Sequence, residues 1–109
     1  MINPSDIVIP SEKLTEYLLV PRVRNDKSKF LAQAGFTTEN PAILEQAIRD
    51  LIVRNDAVQE RESRYGILYR VSGELVGPSD ILSVVTIWIV LAGDEKFRFV
   101  TLKPDKDES

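Results

Sequence analysis

Two side chains capable of chemistry sit two positions apart in the longest apolar run of this sequence, ILSVVTIWIVL (Ile81 to Leu91). They are Thr86, a hydroxyl, and Trp88, the only indole in the chain. Side chains alternate across a strand, so Thr86, Trp88 and Val90 share one face. Val85, Ile87, Ile89 and Leu91 share the other. An indole open on a sheet can stack a nucleobase. An isolated Trp also packs in a core or under a loop, and Thr is at home in mid-strand with no further role. The all-aliphatic set needs a cover, which helices earlier in the chain can supply. That reasoning places any function on the Thr86–Trp88 face.

The densest positive charge is the stretch PRVRNDKSKF, where Arg22, Arg24, Lys27 and Lys29 face a single Asp26. Cations ahead of a helix entrance can grip phosphates; the same pattern also makes an ordinary solvated helix start. Arg61, Arg64 and Arg70 add charge on the adjoining strands, and Tyr65 and Tyr69 carry the same ambiguity as Trp88. Glu60 and Glu62 alternate on one strand face and have the chemistry to bind a hard cation, although carboxylates on an edge strand usually serve to solvate it. The chain holds no His and no Cys. That removes Ser–His and Cys–His triads and imidazole or thiolate metal sites. It has no Walker-type loop and no Gly-rich fingerprint. No cofactor and no metal are expected.

The elements that must position these residues read in order. Residues 1–10 are expected to be extended around Pro4 and Pro10. Ser11 caps a short helix over Glu12 to Leu19, ended by Pro21. Asn25 or Asp26 caps a second, Lys27 to Ala34, which Gly35 stops in the left-handed region. The best-marked helix has Asn40 as cap, Pro41 at its first position and Asn55 as its stop. Its apolar stripe is Ile43, Leu44, Ala47, Ile48, Leu51 and Ile52. From Ala57 the period changes to that of strands: Ala57 to Glu62, Arg64 to Val71, the central Ile81 to Leu91, and Lys96 to Leu102. Gly73 and the Gly77 to Asp80 stretch mark turns, with Glu74 to Val76 left to extend or re-enter the sheet. Helices first and strands after give an α+β fold, with N-terminal helices packed on one face of a four- to five-stranded antiparallel sheet.

With 109 residues the chain reads as one domain over residues 1–104, followed by an acidic, disordered tail at 105–109. The net charge of −3 argues against coating nucleic acid by bulk charge and leaves room for a local basic patch. The start MINPSDIVIP lacks the pattern of a secretory signal. The apolar run falls short of the roughly 20 residues that span a bilayer. These features, with the lack of Cys, predict a cytoplasmic protein with no membrane partner.

Three pieces carry a family resemblance: KSKFLAQAGF (Lys27 to Phe36), YGILYRVSGELVGP (Tyr65 to Pro78) and VVTIWIVLAGDEKFRFVTLKP (Val84 to Pro104). Their order resembles an uncharacterised bacterial domain family with a Lys-rich helix entrance, a Tyr-Gly strand, a Gly-Pro turn, a T-x-W strand and a closing Thr-x-x-Pro. Members of that family occur as free-standing small proteins and as C-terminal modules of larger, toxin-like proteins. The layout also resembles, at the level of fold, the barnase–EndoU–colicin–RelE group of ribonucleases, which work on the open face of a sheet without a metal. The resemblance implies Lys27, Lys29, Tyr65 and Thr86 as the catalytic set. Lys27 and Lys29 hold the phosphate, one of them doubling as base, and Tyr65 is acid or base. Arg24, Arg64, Trp88 and Thr101 then bind substrate. Without His, such a site departs from the barnase pattern and leans on Lys, Arg and Tyr instead.

The expectation that follows is a toxin-like domain of a bacterial toxin–antitoxin system, a metal-independent ribonuclease. A cognate antitoxin or immunity-type protein would cover the Trp88 face, and RNA would be its substrate. The alternative is a non-catalytic protein-binding module, antitoxin or adaptor, using that face; a homodimer is the third reading. Convergence of Lys27, Tyr65, Thr86 and Trp88 in an open cleft favours the enzyme. A buried Trp88 with scattered basic residues favours the binding module.

Overall fold

Strand β4, Ile81–Leu91, has the bounds of the apolar run and stands at the centre of the sheet. The computed structural model describes residues 3–20 and 27–105. Around β4 the order is β1-β5-β4-β3-β2, with β1 Ile7–Val8, β2 Val58–Glu62, β3 Gly66–Val76 and β5 Phe97–Pro104. The sheet is mixed rather than purely antiparallel, because β1 runs parallel to β5 through Ile7↔Phe97 and Val8↔Arg98. The N-terminal segment gains a strand because Ile7 and Ile9, between the two prolines, are both buried. The remaining pairings are antiparallel.

Strand β3 is longer than its sequence suggests and runs straight through Gly73, which pairs with Val84. This glycine is a point of close approach and not a turn. A Cβ there would lie 2.5 Å from Asn55 Nδ2. Asn55 ends helix α3, Pro41–Arg54, and its Nδ2 donates to the Leu51 carbonyl at 2.8 Å. At the other end Asn40 occupies the cap position, but its side chain holds the preceding loop instead. It accepts from the Thr37 N–H at 2.8 Å and donates to the Gly35 carbonyl at 3.0 Å.

Helix α1 is a single turn, Ser11–Lys13, continued by a π-helical turn over Leu14–Leu18. Helix α2 spans Ser28–Ala32. Its exit is the double-bonded glycine stop: Gly35 has φ +96, Phe36 N–H reaches Leu31 O at 3.2 Å and Gly35 N–H reaches Ala32 O at 3.0 Å. The expected caps Asn25 and Asp26, the Pro21 stop, and residues 106–109 of the tail lie outside the described residues.

One core cluster joins Leu14 and Leu18, then Leu44, Ile48, Leu51 and Ile52 of α3, to Val71, Leu75, Val84, Trp88, Phe99 and Leu102 of the sheet. Each large aliphatic or aromatic side chain so buried contributes about 1.5–3 kcal/mol. This core reverses the expected assignment of the faces of β4. Thr86 and Trp88 are 0% exposed and face the helices. Register supplies the reason. Thr86 lies between Val71 and Leu102, and Trp88 between Tyr69 and Phe99, so the neighbouring strands bring their bulk to the same side. The aliphatic series Ile81, Val85, Ile87, Ile89 and Leu91 takes the other face.

Candidate functional site

The residues singled out in the sequence fall into three places. The first is interior. Trp88 Nε1–H donates to Thr86 Oγ1 at 2.7 Å, and the Thr86 hydroxyl donates to the Val71 carbonyl at 2.8 Å. The indole packs edge-on against Phe99, with ring centroids 5.3 Å apart. Every polar atom of this pair is satisfied internally, and neither side chain reaches solvent. Thr86 and Trp88 are therefore a buried brace between β3 and β4 rather than the floor of a cleft.

The second place is the tip of the β2–β3 hairpin. Ser63 and Gly66 exchange backbone hydrogen bonds at 2.8 and 3.2 Å, leaving Arg64 and Tyr65 as a two-residue loop. Tyr65 is 64% exposed. Arg64 Nη2 donates to Tyr65 Oη at 3.2 Å, with the guanidinium carbon 5.2 Å from the ring centroid.

The third place joins residues 74 apart in the chain: Lys27 Nζ donates to Thr101 Oγ1 at 3.4 Å. Lys27 also stands over the Tyr17 ring, 5.6 Å from its centroid. A groove of about 620 Å³ adjoins, lined by Pro10, Glu12, Glu16, Tyr17, Val100 and Thr101. Strand β5 carries a bulge here, with Ile87 opposite Thr101 and Trp88 opposite Phe99. Val100 is the extra, unpaired residue of the bulge, and it lines the groove beside Thr101.

These places do not form one cleft. Thr101 pairs with Ile87 and Gly66 with Leu91, so the hairpin tip lies at least about 13 Å further along the sheet and about 10 Å across it. Thr86 and Trp88 are on the opposite face. Lys29 is exposed on α2, and Arg24 lies outside the described residues.

The aliphatic face of β4, expected to lie under the helices, is the side turned away from the core. Register puts Leu68, Arg70, Ser72 and Glu74 of β3 on it, with Val58 and Arg61 of β2 and Arg98, Thr101 and Lys103 of β5. Its central pocket, about 360 Å³, is lined only by strand residues and Asp105: Glu60, Arg70, Val85, Ile87 and Lys103 lead the set. Glu60, the extra residue of the β2 bulge, pairs with Arg70 at 3.6 Å, and Arg98 pairs with Asp94 at 3.2 Å. Both ion pairs are partly exposed and weak. Asp94 holds its carboxyl below the usual range, first through the Glu95 N–H and then through Arg98 and the Lys96 N–H. Lys27, Arg61 and Lys103 have no carboxylate partner among the described residues. No group of three or more acidic side chains that could hold a metal ion occurs among the described residues. The signal for this face was present in β3, whose outward phase is polar and whose inward phase is apolar.

The molecule is thus an α+β domain built on a mixed five-stranded sheet, one face carrying the core and the other an aliphatic ridge edged with charge. Over residues 1–106 the chain matches the domain of unknown function DUF6883, and it belongs to that family. No curated protein and no solved structure matches it.

Proposed function

We propose that this domain is a protein-binding module that works through the outer face of its sheet, the face of Ile87 and Ile89, in a two-protein setting of the toxin–antitoxin kind. The observation that carries this reading is the outward phase of β4. Five of its six side chains, Ile81, Val85, Ile87, Ile89 and Leu91, are aliphatic; Ile81 and Leu91 are exposed by 51% and 36%, Ile87 and Ile89 are half-buried, and Val85 is buried at 7%. An antiparallel sheet that merely meets water alternates to polar residues on that side. A contiguous apolar patch rimmed by polar groups is the mark of an interaction surface. The buried Trp88 and the separation of Tyr65 from Lys27 favour binding over catalysis.

A photo-crosslinking residue placed at Ile89 tests this in the native host, with the same residue at Gln46, on the outer side of α3, as control. The expected result is one discrete protein adduct from Ile89 alone, identified by mass spectrometry and lost on Ile87→Lys. Adducts at neither position, or equally at both, overturn the reading.

One observation favours the ribonuclease as a second reading: Lys27 and Thr101, both nominated from the sequence, do meet beside an open groove. In this reading Lys27 holds the scissile phosphate and Thr101 orients the amine. Induced expression of the wild type beside Lys27→Ala and Thr101→Ala, read as growth and total RNA integrity, decides it. Growth arrest with fragmented RNA in the wild type alone supports the toxin. Intact RNA from a soluble, folded protein removes it.

A further inference from the structure

We infer that a pocket on the helix side of the sheet, where α3 ends and β1 begins, binds an alkylammonium group between Asp6, Asp56 and the rings of Tyr69 and Phe97. It lies across the sheet from Ile87 and Ile89, so it goes beyond the binding reading above and does not depend on it.

The pocket has a volume of about 470 Å³, within the roughly 300–1,000 Å³ of small-molecule sites. Separate parts of the chain line it: Asp6 just before β1, Asn55 and Asp56 between α3 and β2, Tyr69 of β3 and Phe97 of β5. Both rings pack against the core cluster, which puts the pocket on the helix side. Register brings them together across β4. Tyr69 lies opposite Trp88 and Trp88 opposite Phe99, so Phe97, two residues before Phe99, shares the inward phase with Tyr69. The ring centroids are 5.0 Å apart and the planes are tilted by 51°.

Three independent features give this lining one electrostatic sign. The first is its charge. Asp6 and Asp56 line the pocket, and no Lys or Arg does. Neither carboxylate pairs with a cation among the described residues. The arginines of α3 are engaged elsewhere, Arg49 by Glu45 and the Ile7 carbonyl, Arg54 by the Asp50 and Glu74 carbonyls. The second is the pair of rings, whose π-systems attract cations. The third is the end of α3. Its C-terminus opens beside Asn55, where the partial negative charge of the last carbonyls favours a cation. Asn55 Nδ2 is held by the Leu51 carbonyl at 2.8 Å, and its Oδ1 remains an acceptor.

The same lining selects among cations. Calcium collects many oxygen ligands and magnesium keeps its waters. Two carboxylates and two hydrocarbon rings suit neither ion. An alkylammonium needs a carboxylate for its N–H groups and an apolar surface for its carbon chain, and this pocket supplies both. Such a group comes either from a free diamine or from a lysine side chain of another protein.

The test is a titration of the isotope-labelled full chain, read as amide chemical shifts. The probes are putrescine and N-acetyl-lysine amide, with butanediol as the neutral counterpart and magnesium as the hard cation. The expected result is saturable shifts at Asp6, Asp56, Tyr69 and Phe97 with the amines, at a dissociation constant on the order of millimolar. Butanediol and magnesium are expected to give none. Asp6→Asn and Asp56→Asn are each expected to weaken binding about threefold, and Phe97→Leu by about the same factor through the lost ring. Unchanged near-ultraviolet circular dichroism from Trp88 shows that the fold persists in each variant. The tighter of the two amines identifies the source of the ligand. Absence of saturable shifts with either amine at tens of millimolar overturns the inference. So does an equal response to butanediol or magnesium, or amine binding unchanged in the Asp6→Asn, Asp56→Asn double variant.

Discussion

Replacing Thr86 by Val tests the placement of the Thr86–Trp88 pair in the core. The shapes are nearly identical, so the substitution removes one oxygen and leaves the packing. Trp88 Nε1–H loses its acceptor at 2.7 Å, and the Val71 carbonyl loses a donor at 2.8 Å. Both groups are sealed in, since Thr86, Trp88 and Val71 are each 0% exposed. An unsatisfied buried donor costs about 1–3 kcal/mol. The carbonyl loses less, having a second lone pair, and the added methyl offsets part of the loss. The net expectation is a destabilisation of about 2 kcal/mol, which lowers the melting temperature of a domain this size by about 10 °C. Urea unfolding followed by far-ultraviolet circular dichroism measures it. Trp88→Phe and the double variant complete a cycle, in which the N–H to Oγ1 bond appears as a coupling of about 1 kcal/mol or more. A loss for Thr86→Val below about 0.5 kcal/mol, with no coupling to Trp88, would refute the buried brace and reopen Thr86 as a surface residue.

The two faces of the sheet are separable by truncation. Leu102→Ala, on the core side, is expected to cost about 2–5 kcal/mol, and Ile89→Ala about 1 kcal/mol when measured on dilute protein; equal losses would contradict the face assignment. Gly73→Ala displaces the Asn55 carboxamide and with it the bond to the Leu51 carbonyl, and should cost about 1 kcal/mol; an effect of Gly73→Ala that is unchanged in an Asn55→Ser background would refute the close approach. Asp94 has a depressed pKa in the fold, so its contribution to stability is present above its ordinary value of 3.8 and is lost as pH falls through the folded value. Asp94→Asn should therefore be less stable at neutral pH, its curve converging on the wild type in acid; parallel curves from pH 7 to pH 2 would count against the Glu95 and Arg98 bonds.

How far the fold could be read depended on how one-sided each segment is. Helix α3 is apolar on one stripe and bracketed by Pro41 and Asn55, and its bounds follow from the sequence. Strand β4 was equally clear in extent but not in orientation, because it is apolar in both phases. Orientation had to come from its neighbours. In β3 the phase of Tyr69, Val71 and Leu75 is apolar and that of Arg70, Ser72 and Glu74 is polar. Carrying that phase through the tight turn, where Val76 meets Ile81 and Leu75 meets Leu82, assigns Thr86 and Trp88 to the core. The polarity of the hydroxyl and the indole serves a hydrogen bond between them inside the core, not chemistry on an open face. The meeting of Lys27 with Thr101 lay beyond any local signal, since a β5 bulge and the entrance of α2 create it across most of the chain.

The reversal of faces changes what the T-x-W pattern can mean. A Thr two residues before a Trp on a strand places both side chains on one face, close enough for the indole N–H to find the hydroxyl without help from another element. That makes the pair a local means of burying a Trp in mid-sheet with its donor satisfied, and Val71 supplies the one remaining bond. Loss of function on changing Thr86 would therefore report loss of fold. Only residues on the outer face, Ile87 and Arg98 among them, or at its rim, Lys27 and Thr101, can separate activity from stability. If variants at Ile87 abolish function while Lys27→Ala and Thr101→Ala do not, the face acts by binding alone. If the rim pair is also needed, the bound partner and the groove beside Tyr17 belong to one mechanism, with the second chain covering the floor and Lys27 left to meet an anion at its edge.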